Sequence, residues 1–125
     1  LAMVAATLGA NSVLGIDTDP LAVTAALLNV ETNKLMDKVE IIQGTTESNN
    51  LSQYDLVVAN LYSKVIMEIG HSIMSKMARN GVVILSGIMR DKLEEVIVSL
   101  RTHNFVLDHY LTEGDWAVAV GHKEE

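Results

Sequence analysis

Apolar positions along the chain come in short runs, and turn-forming or polar residues part them. "VLGIDTDP", residues 13–20, opens on the strand formers Val13, Leu14 and Ile16 and stops on two acids and the chain's single proline. This pattern predicts a strand-to-helix junction. Asp19 can cap a helix, and Pro20 suits the first helical turn, where its missing N–H would have no partner anyway. Leu1 to Leu8 reads as the end of an alanine-rich helix stopped by Gly9. Pro20 to about Lys34 reads as a helix with Leu21, Ala25, Leu28 and Val30 near helical spacing. "KVEIIQG" is a second strand ending at Gly44, and "TTESNNLSQ" is polar loop. "YDLVVAN" is a third strand, apolar through its centre, as expected when both faces are covered. Leu61 to Met77 is a helix carrying Val65, Ile66, Ile69, Ile73 and Met77. "NGVVILSGI" is a turn and a buried strand. Asp91 to His103 is a helix with Leu93, Val96, Ile97 and Leu100 on one face.

The end of the chain breaks this alternation. "FVLDHYL" and "WAVAVGHK" are strand-like and are separated only by "TEGD". A parallel crossover needs a dozen residues or more, so these two strands form an antiparallel hairpin. The expected fold is therefore α/β, a three-layer α/β/α domain. Its mostly parallel sheet carries the strands at 13–16, 39–43, 55–59 and 82–86, with the C-terminal antiparallel β-hairpin at one edge. The 125 residues suit a single domain spanning 1–125.

Composition narrows the function. The chain is 49% apolar, which argues against disorder, and it has no cysteine, hence no disulfide framework or thiolate chemistry. Its net charge of -7 disfavours direct nucleic-acid binding, which needs clustered Lys and Arg, and suits a basic protein partner. The apolar start, "LAMVAATLGA", has no basic region before it and is too short to span a membrane, so no membrane role and a cytoplasmic location are expected. A chain that starts on Leu1 is also compatible with truncation.

Several residues could carry chemistry. Asp17 ends a strand where open α/β sheets bind ligands; it either accepts hydrogen bonds from the ribose hydroxyls of an adenine cofactor or closes a turn. Asn60 ends the most apolar strand; its carboxamide either meets a substrate amine or amide or caps the next helix. Thr45 and Thr46 follow the second strand and could meet an adenine edge. Ser86 and Gly87 end a later strand, where Gly87 permits a tight turn. The four histidines are scattered and no pair has the i, i+4 spacing of a helical metal site, so no metal is expected. A phosphoryl-accepting receiver domain would want an acid where Asn60 stands and a lysine within "SGIMR"; neither is there.

Taken together, "LGANSVLGIDTDPLAV", "YDLVVANLYSKVI", "NGVVILSGIM" and "EGDWAVAVGHK" resemble the ribosomal-protein methyltransferase family, whose members methylate protein eleven of the large ribosomal subunit. The motifs occur in the right order across nearly the whole chain, and the terminal hairpin is typical of Rossmann-like adenosylmethionine-dependent methyltransferases. The resemblance implies S-adenosyl-L-methionine as cofactor. It matches Asp17 to the acid that holds the ribose hydroxyls, puts Thr18 beside the adenine, and puts Thr45 where relatives often carry an acid near the adenine. Asn60 matches the asparagine next to the methyl donor and the incoming amine. The implied substrate is a basic ribosomal protein, methylated on a lysine or N-terminal amine. "NLYS" departs from the more usual "N-I-L-A". Family members also carry an amino-terminal recognition domain, then a first strand with a D-x-G-x-G-S-G turn. This chain begins just after that turn. In the family's sheet that first strand lies between the strand ending at Asp17 and the one ending at Asn60, so an upstream segment or a partner's strand is expected there. The alternatives are another methyltransferase of the same fold, acting on a glutamine, a small molecule or RNA, and a non-catalytic remnant lacking the cofactor loop.

Overall fold

A computed structural model describes residues 1–48 and 53–125; of the polar loop expected over 45–53, residues 49–52 lie outside the described residues. The chain divides into two compact units, Leu1–Asn49 and Asn50–Glu125.

The first unit runs α1 (Ala2–Thr7), β1 (Val13–Asp17), α2 (Pro20–Thr32) and β2 (Val39–Gln43). β1 and β2 pair in parallel, from Val13 opposite Val39 to Asp17 opposite Gln43. The start of α2 forms as its residues dictate: the Asp19 carboxylate accepts the Leu21 N–H at 2.9 Å and Pro20 sits in the first turn. A small core of Ala6, Val30 and Val39 holds the unit together. Leu21 and Leu28, on the spacing that suggested a buried stripe, are instead 78% and 62% exposed. The helix is apolar on nearly every side, so spacing alone could not single out Val30 as the position that packs inward.

The second unit runs β3 (Tyr54–Asn60), α3 (Ser63–Ser75), β4 (Met77–Met89), a 3₁₀ turn (Arg90–Lys92), α4 (Leu93–Arg101), β5 (Phe105–Glu113) and β6 (Trp116–Lys123). Its four-stranded sheet has the order β3-β4-β6-β5. β3 and β4 are parallel, while β4–β6 and β5–β6 are antiparallel. The hairpin expected from "TEGD" is present with a two-residue loop, Gly114–Asp115, between the paired residues Glu113 and Trp116. Gly114 takes φ 55°, the left-handed conformation such loops require at their first position. Ile66 and Ile73 of α3 and Val96 and Leu100 of α4 pack with Val83, Leu85 and Ala119 of the sheet into one core.

Three expectations change. The four parallel strands do not share one hydrogen-bonded sheet: among the described residues β1 pairs only with β2, and β3 pairs in parallel only with β4. Among the described residues, the parallel strands β3 and β4 are also not covered on both faces. Val83 and Leu85 are buried under α3 and α4, whereas Leu56 and Val82 are 45% and 38% exposed. Finally, β4 is longer than expected at both ends. Met77 leaves the helix to pair with Tyr54, and the strand continues past Ser86 and Gly87 through a bulge to Met89, which pairs with Trp116. Tertiary pairing thus overrides the helical spacing of Met77.

Candidate functional site

In the first unit, two hydrogen bonds tie the carboxyl ends of β1 and β2 together and a third closes the turn after β1. The Gly44 N–H donates to the Asp17 carbonyl at 2.9 Å, the Gln43 Nε2 donates to the Thr18 carbonyl at 3.4 Å, and the Asp19 N–H donates to Asp17 Oδ1 at 2.9 Å. Asp17, Thr18 and Thr45 therefore gather at one end of the two-stranded sheet, and all three are exposed. Asp17 closes the turn with one oxygen, and its Oδ2 has no partner among the described residues. Thr45 is held locally: its N–H donates to Ser48 Oγ at 2.9 Å, and its hydroxyl accepts the Glu47 N–H at 3.3 Å.

In the second unit, Asn60 ends β3 and is exposed. It does not cap α3, whose N-cap is Tyr62, with no side-chain hydrogen bond. The Ser63 hydroxyl in the first helical turn is buried without a partner among the described residues. The Asn60 Oδ1 instead accepts the Ser86 hydroxyl at 3.1 Å, and Ser86 is its register partner on β4. The Leu61 N–H donates to the Ser86 carbonyl at 3.1 Å. Next to Ser86, Gly87 has φ 79°, a conformation that costs any other residue energy. A Cβ at this position would stand 2.8 Å from both Asn60 Oδ1 and the Leu61 carbonyl oxygen. Glycine is thus required twice over, for its backbone conformation and for the close approach of two acceptor oxygens.

Asn60, Tyr62, Ser86, Gly87 and Trp116 line a cleft of about 590 Å³. Tyr62 and Trp116 are 76% and 52% exposed. The arrangement puts a carboxamide and a backbone carbonyl in a cleft also lined by two aromatic residues, at the carboxyl ends of two parallel strands. It can accept hydrogen bonds from an amine or amide and pack against its aliphatic part. Trp116 was not among the residues singled out from the sequence. Its signal is an aromatic side chain directly after a two-residue hairpin loop, and only the pairing with Met89 shows which end of the sheet it reaches.

The family model described as Ribosomal protein L11 methyltransferase (PrmA) matches residues 1–124. The chain is 42% identical over 120 residues to the ribosomal protein L11 methyltransferase of Alkaliphilus oremlandii, covering 96% of this chain and 38% of that protein. It is 35% identical over 124 residues to that of Anoxybacillus flavithermus, covering 99% of this chain and 40% of that protein. The chain thus spans about two fifths of the length of these curated relatives. Among solved structures it is similar to the ribosomal protein L11 methylase of Lactobacillus delbrueckii subsp. bulgaricus, with a TM-score of 0.91 and 27% identity over 99% of this chain and 64% of that one. A methyltransferase from Pyrococcus furiosus, with a TM-score of 0.81 at 16% identity over 98% of this chain and 68% of that one, shares the fold. The α/β architecture is thus that of the Rossmann-like methyltransferases, and the chain belongs to the ribosomal protein L11 methyltransferase family.

Proposed function

We propose that this chain is part of a single catalytic domain for S-adenosyl-L-methionine-dependent methyl transfer to an amine, on a lysine or the N-terminus, of large-subunit ribosomal protein L11. The observation that carries this reading is the exposed Asn60 carboxamide beside the Leu61 carbonyl, set in an aromatic-flanked cleft at the ends of parallel strands. The relatives named as L11 methyltransferases supply the substrate. The net charge of -7 suits a basic ribosomal protein, and a ribosomal substrate implies a cytoplasmic location. Among the described residues no helix is long and apolar enough to cross a membrane.

The residues present fit the cofactor. Asp17 has an exposed carboxylate oxygen without a partner among the described residues, as a pair of ribose hydroxyls would need. Thr18 and Thr45, at the same end of β1 and β2, would lie toward the adenine; the Thr45 hydroxyl accepts from Glu47 but keeps its proton to donate. When bound, the cofactor supplies an electrophilic methyl group on a sulfonium. The protein's task is then to hold an amine lone pair in line. A lysine amine has an ordinary pKa of about 10.4 and must lose its proton first; desolvation in the cleft favours the neutral form. Asn60 Oδ1 and the Leu61 carbonyl are two acceptors able to take the amine's remaining N–H groups, which leaves its lone pair free. Among the described residues no acid or histidine lines the cleft as a general base.

The test is methyl transfer from labelled adenosylmethionine to purified L11 by the protein expressed from its own full gene, with the modified residue mapped by mass spectrometry. Label on a lysine or N-terminal amine of L11 supports the reading. A protein that binds adenosylmethionine but leaves L11 unlabelled would require a different substrate.

A further inference from the structure

Three features converge on the Asn60–Leu61 peptide. The Ser86 hydroxyl donates to Asn60 Oδ1 at 3.1 Å. The Ser86 carbonyl accepts the Leu61 N–H at 3.1 Å. The bare Cα of Gly87 lets Asn60 Oδ1 and the Leu61 carbonyl crowd the same point, 2.8 Å from where a Cβ would stand. β4 is bulged between Leu85 and Ile88, so Ser86 is the last residue of β4 in regular parallel register with β3. A carboxamide on an exposed strand end is otherwise free to turn over, exchanging its oxygen and its NH₂. In the structure the Ser86 hydroxyl donates to the oxygen and so anchors the carboxamide with Oδ1 on its side.

We propose that Ser86 is a positioning residue for methyl transfer. Resting on the proposed role of Asn60, its hydroxyl locks the carboxamide so that Oδ1 and the Leu61 carbonyl form a fixed pair of acceptors for the substrate amine. Ser86 touches neither substrate nor cofactor in this scheme. It acts through Asn60, and Gly87 makes the space for it to do so. The serine is thus selective for the amine's orientation and indifferent to cofactor affinity.

The experiment uses the protein expressed from its own full gene, with S86A, S86T, N60A and the S86A/N60A double variant. Loss of the hydroxyl should lower kcat about tenfold, the worth of one net hydrogen bond. The Kd for adenosylmethionine, measured by calorimetry, should stay within about twofold of wild type. S86T, which keeps the hydroxyl, should recover most of kcat, and S86A should cost nothing further in the N60A background, because the two side chains act as one unit. An S86A protein with wild-type kcat would overturn the proposal. So would additive losses in the double variant, or parallel losses in kcat and cofactor affinity. ¹⁵N NMR relaxation of the Asn60 side-chain NH₂ gives a readout independent of turnover: a rigid carboxamide in wild type, and larger-amplitude motion of the group in S86A. If the wild-type protein binds adenosylmethionine but methylates no amine, the proposed function fails, while the NMR comparison still decides whether Ser86 fixes the carboxamide.

Discussion

The backbone N–H of Asp19 donates to the Asp17 carboxylate at 2.9 Å, while the Asp19 carboxylate accepts the N–H of Leu21 at the same distance. The two acids of "IDTDP" therefore have separate tasks. Asp19 starts the helix. Asp17 closes the turn with one oxygen and presents the other to solvent. Asp17→Asn keeps an acceptor for the Asp19 N–H but removes the charge, whereas Asp17→Ala removes both. Each should weaken adenosylmethionine binding by about ten- to a hundred-fold, the worth of a charge-assisted hydrogen bond of roughly 1.5–3 kcal/mol. Only Asp17→Ala should also lower the melting temperature. Calorimetry paired with thermal unfolding separates the two, and unchanged affinity in both variants would remove Asp17 from the site.

Asn60→Ala should lower turnover more than cofactor affinity. The side chain is exposed and, among the described residues, its one hydrogen-bond partner is the Ser86 hydroxyl, so the stability cost should be about 1 kcal/mol or less. Steady-state kinetics on L11 beside calorimetry with adenosylmethionine would check this. Equal losses in both would give Asn60 a cofactor-binding role instead.

Gly87→Ala and Gly114→Ala form an informative pair. Both glycines have positive φ, 79° and 55°. A Cβ at Gly114 meets nothing within 4 Å, whereas one at Gly87 stands 2.8 Å from two oxygens. Gly114→Ala should therefore cost only backbone strain, roughly 1–2 kcal/mol. Gly87→Ala should cost more in denaturant unfolding and should also lower turnover, because the oxygens it displaces belong to Asn60 and Leu61. Equal costs would mean the strand end yields to the methyl group.

Amides of β1 and β2 should exchange with deuterium faster than those of β4 and β6. The first unit has a two-stranded sheet of five-residue strands and a core of three buried residues, while the second has four strands under two helices. A strand added to the open edge of β1, from an upstream segment or a partner, should slow that exchange. Exchange followed by mass spectrometry would show it, and uniform protection across both units would contradict it.

The order of strands and helices was legible because each run has its own punctuation. "DTDP" starts α2 as read, "YDLVVAN" is β3 to the residue, and "TEGD" forces the hairpin. What could not be read was pairing. No local pattern says that Met77 leaves its helical spacing to pair with Tyr54, or that β4 runs through Gly87 as a bulge. The division into two sheets is likewise a matter of which strands are hydrogen-bonded, and five apolar residues look the same in either sheet. At the site, Asp17 and Asn60 stood out because polar residues end apolar strands. Ser86 read as a strand end and Trp116 as a strand start, since their relation to Asn60 depends on register across β3, β4 and β6.

The place of β6 between β4 and β5 has a bearing on how the molecule is made. During synthesis β5 leaves the ribosome before β6, its neighbour among the described residues, exists, and β4 has β3 beside it on one side alone. The hydrogen bonds that close the second unit wait for the segment Trp116–Lys123, so a nascent chain stalled before it displays two unfinished edges at once. Completion of this unit therefore waits for β6, and the window just before β6 emerges is when the segment has most to gain from a chaperone.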